Sequence, residues 1–131
     1  MRKSSTRARA IAAGYRSGLE ETVGKELESR GISYGYESVK ISWVDHKVRK
    51  YTPDFILPND IIIETKGRFV AADRRKHLEI QKQHPRHDIR FVFQNASNKL
   101  NKGSNTSYGQ WCDKNGFKWA EGSIPQEWLD E

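Results

Sequence analysis

The sequence predicts an α/β fold, with a mixed central sheet flanked by helices in a single domain. Two segments carry apolar residues at helical spacing, while the stretches between and after them alternate apolar and polar residues as strands do. Taken in order the elements read αβββαβα, which fits a mixed sheet rather than a bundle or a sandwich. Length agrees: 131 residues with 35% hydrophobic and 31% charged composition suit one globular domain and leave no room for a second.

Each element has its own signal. Ser17-Gly18-Leu19-Glu20 has the spacing of a capping box, Leu19, Val23 and Leu27 follow at helical intervals, and Gly31 stands where such a helix ends, so a helix is expected over about residues 17–30. Ile32, Tyr34 and Tyr36 alternate, then Val39, Ile41 and Trp43 alternate on the opposite parity. That predicts a long strand with a bulge near Glu37 and Ser38. Residues 45–50 (DHKVRK) read as a charged connection. Residues 51–57, the turn Pro58-Asn59-Asp60 and residues 61–66 read as a hairpin. Asp73 is placed to cap a second helix that stops before Pro85, and Ile89, Phe91 and Phe93 form a strand. After a polar loop come a short helix with Tyr108, Trp111 and Cys112, a stop at Asn115-Gly116, a last strand at 117–120 and a final helical turn at 125–129.

Charge is segregated along the chain. The net charge of +6 includes five cations and no acid in residues 1–19 (Arg2, Lys3, Arg7, Arg9, Arg16), and residues 66–90 hold eight basic side chains against three acidic. Residues 1–16 are therefore read as a basic, disordered arm and residues 17–131 as the folded domain. Two separate basic segments suit a polyanion such as nucleic acid, through release of its counterions. Arg74, Arg75 and Lys76 oppose the dipole of the helix they open, which makes better sense beside a phosphate. Lys99 and Lys102, in a loop with Asn and Ser, also suit phosphate oxygens.

No apolar run exceeds four residues, so neither a signal peptide nor a membrane span is expected and the chain is placed in the cytoplasm. Cys112, the single cysteine, excludes an intrachain disulfide and a zinc ribbon. His46, His77, His84 and His87 lack metal-ligand spacing and are expected at the surface. Trp111, Trp119 and Trp128 are expected in the core.

The chemistry concentrates in Pro53-Asp54 and Glu64-Thr65-Lys66. On a strand Glu64 and Lys66 share a face, with Thr65 on the other. A three-residue loop at 58–60 sets Asp54 opposite Glu64, with Cβ atoms about 5 Å apart; a two-residue loop sets it beside Ile63 instead. In the first register the paired carboxylates conflict unless a cation joins them. Oxygen ligands without His or Cys nearby suit Mg²⁺ or Mn²⁺, and an ordinary surface ion-pair network is the alternative. Ile61-Ile62-Ile63 argues for a buried strand, whose charged end then needs a reason. Glu20 has two readings. It can bond back to Ser17 in the capping box, or, lying about 20° around the helix from Leu27, it can turn inward as a third carboxylate.

These residues also carry a resemblance. Asp54, Glu64 and Lys66 match the Pro-Asp … Glu-x-Lys signature of restriction-endonuclease-like nucleases. The segments at 16–20, 51–55, 64–67, 75–78, 83–85 and 107–109 resemble the endonuclease I family of short-tailed bacteriophages, which resolves Holliday junctions. The resemblance implies a metal-dependent endodeoxyribonuclease of restriction-endonuclease-like fold, a strand-exchanged homodimer, and branched or four-way DNA as its partner. It further implies two Mg²⁺ or Mn²⁺ ions per site and no small-molecule cofactor. Asp54 would bridge the ions, Glu64 and the Thr65 carbonyl hold one, Glu20 the other, and Lys66 meet the attacking water or the scissile phosphate. Where the family has a further acid this chain has Gly35, so that task is absent or passes to Glu37. Another nuclease of the superfamily, of restriction or transposon-end type, and a non-catalytic basic DNA-binding module are the competing readings.

Overall fold

The computed structural model describes residues 14–131. Helix α1 (Gly18–Ser29) begins as expected, with the Ser17 side chain accepting from the Glu20 N–H at 3.1 Å. Val23 and Leu27 are fully buried on its inner face. Past its end Gly31 takes a positive φ of 69°, a conformation that favours glycine, and the chain turns back with the Ile32 N–H on the Leu27 carbonyl.

The expected long strand is two strands in different sheets. β1 (Gly35–Tyr36) belongs to the main sheet; Glu37 then turns the chain with φ 48°, and β2 (Ile41–Val44) pairs with β3 (Val48–Tyr51) alone. The change of parity is real, but it marks a crossing between layers, not a bulge. Tyr34 and Tyr36 pack beside Phe55 on one side of the sheet, whereas Ile41 and Trp43 join Phe91 on the other. The charged connection is likewise a tight turn with the Asp45 N–H on the Lys47 carbonyl, and most of its residues lie in the β2–β3 hairpin.

β4 (Phe55–Ile56) and β5 (Ile62–Lys66) form the central hairpin, and Phe55 faces Ile63 while Ile56 faces Ile62. β6 (Ile89–Phe93) and β7 (Trp119–Glu121) add in parallel, giving the order β1-β4-β5-β6-β7 with antiparallel pairs on one side and parallel pairs on the other. This is the mixed sheet that the sequence predicts. Helices α2 (Ala71–Gln83), α3 (Tyr108–Asn115) and α4 (Gln126–Leu129) complete the chain.

Each sheet face has its own core. Ile62, Phe91 and Phe93 pack with Ile80 of α2 and Trp111 and Cys112 of α3, whereas Ile61, Ile63 and Val92 pack with Val23 and Leu27 of α1 and Trp128 of α4. The isoleucine run therefore reads as a strand covered on both faces. Trp111 and Trp128 are buried and Trp119 half-buried, in line with the sequence; burial pushes the Cys112 thiol up to about 12.

Two local expectations change. The N-cap of α2 is Val70, whose side chain cannot cap, because the helix begins ahead of Asp73; the Asp73 carboxylate instead faces Lys66 at 3.7 Å. His77 is fully buried, not at the surface, with its ring edge-on to Tyr51 and Phe91 at 5.3 and 4.9 Å. Neither ring nitrogen has a hydrogen bond among the described residues. Burial first, then Lys66 and Lys76, hold its pKa well below the usual histidine range, so the ring is neutral.

Candidate active site

The ladder between β4 and β5 fixes the site. Leu57 donates to the Ile61 carbonyl, so the loop holds three residues and Asp54 lies across from Glu64, the first of the two registers. The strand begins only at Phe55, and there the alternation of side chains stops constraining Asp54. Its Oδ2 accepts from the Thr65 N–H at 2.9 Å and from Thr65 Oγ1 at 2.8 Å, an anchoring that directs Oδ1 to Arg16. The carboxylate thus sits at the end of the ladder, where both faces of the sheet can reach it. That differs from the side-by-side pair with Glu64 expected from strand periodicity alone.

Glu64 shares the face of Phe91 and Ile62. Its Oε2 accepts from the Tyr51 hydroxyl at 2.7 Å, and its Oε1 lies 3.7 Å from Lys66 Nζ. Burial, followed by the charge of Asp54, raises its pKa to about 7. Across Asp54, on the α1 side, Glu20 does not close the capping box. Its Oε1 accepts from the Arg16 N–H at 3.3 Å and from the Tyr36 hydroxyl, so the inward reading holds. Burial raises the Glu20 pKa, and Asp54 adds to the rise. The pKa values of Tyr36 and Tyr51 are pushed up by burial and by the carboxylates they serve, which keeps both hydroxyls protonated as donors.

Asp54 is therefore the shared member of the cluster: its charge acts on Glu64 from one side and on Glu20 from the other. All three residues are at least 94% buried, and carboxylates so placed need hydrogen bonds and opposing charge around them. Among the described residues no three ligand-type side chains stand at metal-holding distance as they are. Arg16 and Lys66 supply the opposing charge. The donors are carboxylate oxygens, with no thiolate and no histidine nitrogen directed at them, which suits a hard divalent ion.

The basic residues divide. Arg2, Lys3, Arg7 and Arg9 lie outside the described residues. Tyr15 and Arg16, at the end of the expected arm, pack on the domain: Tyr15 is buried, and the Arg16 guanidinium lies 3.1 Å from Glu37 and 3.5 Å from Asp54. Arg74 Nη1 donates to the Phe69 carbonyl at 2.6 Å, and Lys76 Nζ stands 4.9 Å over the Tyr51 ring, with its pKa lowered chiefly by burial. Lys99 Nζ donates to the Asn105 carbonyl, and Lys102 is exposed on the same loop.

Sequence reasoning missed the β2–β3 hairpin as a basic element. Lys47, Arg49 and Lys50 line adjoining clefts of about 270 and 440 Å³ together with Trp43, Arg75 and Lys76. The signal was the run of cations at residues 47–50, read only as a connection. Tyr36 and Tyr51 were also missed as holders of Glu20 and Glu64.

A mixed sheet that gathers three buried carboxylates and a lysine at one end of its central hairpin has the making of a hydrolytic nuclease. Comparison with known proteins agrees. The whole chain, residues 1–131, matches the phage endonuclease I family. It is 52% identical over 118 residues to Endonuclease I of Escherichia phage T7, covering 89% of this chain and 79% of the relative. It is 54% identical over 115 residues to Endodeoxyribonuclease 1 of Enterobacteria phage T3, covering 85% and 74%. The chain belongs to the phage endonuclease I family and is an endonuclease.

Proposed function

We propose that this endonuclease resolves branched DNA, four-way junctions above all, by metal-dependent hydrolysis of phosphodiester bonds in the cytoplasm of a phage-infected host. The observation that carries the reading is the convergence of Glu20 and Glu64 on Asp54, with Lys66 beside Glu64. Glu20, Asp54, Glu64 and the Thr65 carbonyl would hold Mg²⁺ or Mn²⁺, two ions per site. Such ions supply a nucleophile at neutral pH and charge neutralisation at both the attacking and the leaving oxygen. The residues do the rest. Asp54, anchored on Thr65, fixes the centre; Tyr51 and Tyr36 orient Glu64 and Glu20; Lys66 brings a positive donor to the phosphoryl oxygens where charge grows. The task of the acid that the family carries at the position of Gly35 is either absent or passes to Glu37, which pairs with Arg16 at 3.1 Å. A gel assay with a four-way junction, a linear duplex and single-stranded DNA, with and without Mg²⁺, tests this. Cutting of the junction well above the other two, only with Mg²⁺, is expected; equal cutting of all three contradicts junction selectivity.

Symmetric resolution needs two cuts, and the described residues of one chain hold one such cluster, so a homodimer is part of the proposal. From the sequence, the dimer contact is expected over residues 32–50, because Tyr34, Tyr36, Ile41 and Trp43 exceed what a small hairpin can bury alone. That ground changes, because the chain itself buries Ile41 and Trp43. What stays exposed there is Val39, Val44 and Val48. An interface on this segment, with the strand exchange that the family resemblance implies, covers them. Light scattering at micromolar concentration is expected to give about 30 kDa, twice the chain mass of 15.2 kDa. A monomer that still cuts both strands symmetrically contradicts the dimer.

The basic arm contributes affinity. Removing residues 1–13, with Arg2, Lys3, Arg7 and Arg9, is expected to weaken junction binding and flatten its salt dependence. Each lost phosphate contact lowers the log-log slope by about 0.9. An unchanged slope shows that the arm does not meet phosphate.

A further inference from the structure

We propose that Arg16 is an exchangeable counter-cation of the carboxylate cluster: it neutralises Glu20, Glu37 and Asp54 while the site is free of metal, yields to the divalent ion, and then binds a phosphate of the DNA. This rests on the reading of the cluster as an ion site. One guanidinium answers three acids, with Nε 3.1 Å from Glu37 Oε2 and Nη2 at 3.5 Å from Asp54 Oδ1 and 4.0 Å from Glu20 Oε2. Asp54 Oδ2 is already occupied by Thr65, so Oδ1, the oxygen that Arg16 faces, is the one left for an ion. Guanidinium and ion therefore compete for the same atom.

The side chain is easily displaced, and the backbone is not. Two thirds of the Arg16 side chain is exposed, and its contacts with Asp54 and Glu20 are long, which makes them weak pairs in solvent. The Arg16 N–H, by contrast, is directed to Glu20 Oε1 and to the Tyr36 hydroxyl at 3.1 Å. Tyr15 before it is wedged against Gly24, where a Cβ would come within 2.7 Å of the phenol ring, and its hydroxyl meets that of Tyr34 at 2.6 Å. A released guanidinium therefore stays within a side-chain length of the site. A DNA phosphate drawn to the bound ion lies in that reach and matches the fork of an arginine. Lys66 occupies the opposite flank, between Glu64 and Asp73, and is only 16% exposed, so it is not the group that swings.

Calorimetric titration of Mn²⁺ without DNA into wild type, Arg16→Gln, Arg16→Lys and Asp54→Asn tests the exchange. Expected is roughly tenfold tighter Mn²⁺ binding in Arg16→Gln, near wild-type affinity in Arg16→Lys, and loss of binding in Asp54→Asn. Ca²⁺ is expected to raise junction affinity, read by gel shift, less in Arg16→Gln than in wild type. Equal or weaker Mn²⁺ binding in Arg16→Gln, with none in Asp54→Asn, overturns the exchange and leaves the ion site standing. Wild type and Asp54→Asn binding alike remove the ion site itself and the exchange with it.

Discussion

Asp54→Ala is expected to lower Mg²⁺-dependent cleavage of a four-way junction by roughly a thousandfold or more while leaving junction binding intact. Asp54 is the carboxylate common to both halves of the cluster, so no neighbour can replace it. Binding survives because removing an acid from a surface that meets phosphates lessens repulsion. Alanine also strips the Thr65 N–H and hydroxyl of their acceptor, a change worth about 1–3 kcal/mol in a buried place. Asn keeps an acceptor oxygen there, so Asp54→Asn separates chemistry from folding. Single-turnover kinetics and gel shift on both variants check the point; cleavage that persists in both contradicts the assignment of the site.

Glu64→Gln is expected to stabilise the metal-free protein by about 3 kcal/mol at pH 8 and to leave it unchanged near pH 4. An acid whose folded pKa lies near 7, against an ordinary value of 4.5, keeps its proton more tightly in the native state. Between those two values the native state binds more protons than the unfolded one, so stability falls as pH rises and then levels off above about 7. Gln cannot ionise and escapes the loss. Urea melts of wild type and variant from pH 4 to 8 measure it, and parallel pH profiles contradict the burial of an ionisable Glu64. Millimolar Mg²⁺ at pH 8 is expected to restore the stability of wild type and not to raise that of Glu64→Gln comparably. For the same reason ion binding weakens as pH drops below 7, where proton and metal compete for one carboxylate.

The central hairpin was legible because its turn and its alternation agree: Pro58-Asn59-Asp60 sets the loop, and the register follows as far as Phe55. Beyond Phe55 the period of two no longer applies. The orientation of Asp54 is decided by a side-chain bond to Thr65 that no spacing announces. Glu20 left two readings open for a similar reason: Tyr36, which decides between them, lies in another strand. The change of parity after Tyr36 was visible, yet whether it meant a bulge or a crossing depended on which sheet face each half would cover. His77 deceived because α2 is almost wholly polar; its placement three residues before Ile80, the other buried residue of that helix, was the available signal. Arg16 read as the end of a basic run, since only the fold brings it back to Glu37 and Asp54.

Anomalous diffraction from crystals grown with Mn²⁺ tests the central claim most directly. Density is expected beside Asp54 Oδ1, with carboxylate oxygens of Glu64 and Glu20 drawn in to roughly 2–2.3 Å from the metal positions and Arg16 turned away. No peak at these residues, in crystals of protein that cleaves junctions in the same Mn²⁺ buffer, would show that the cluster is not the site of the chemistry.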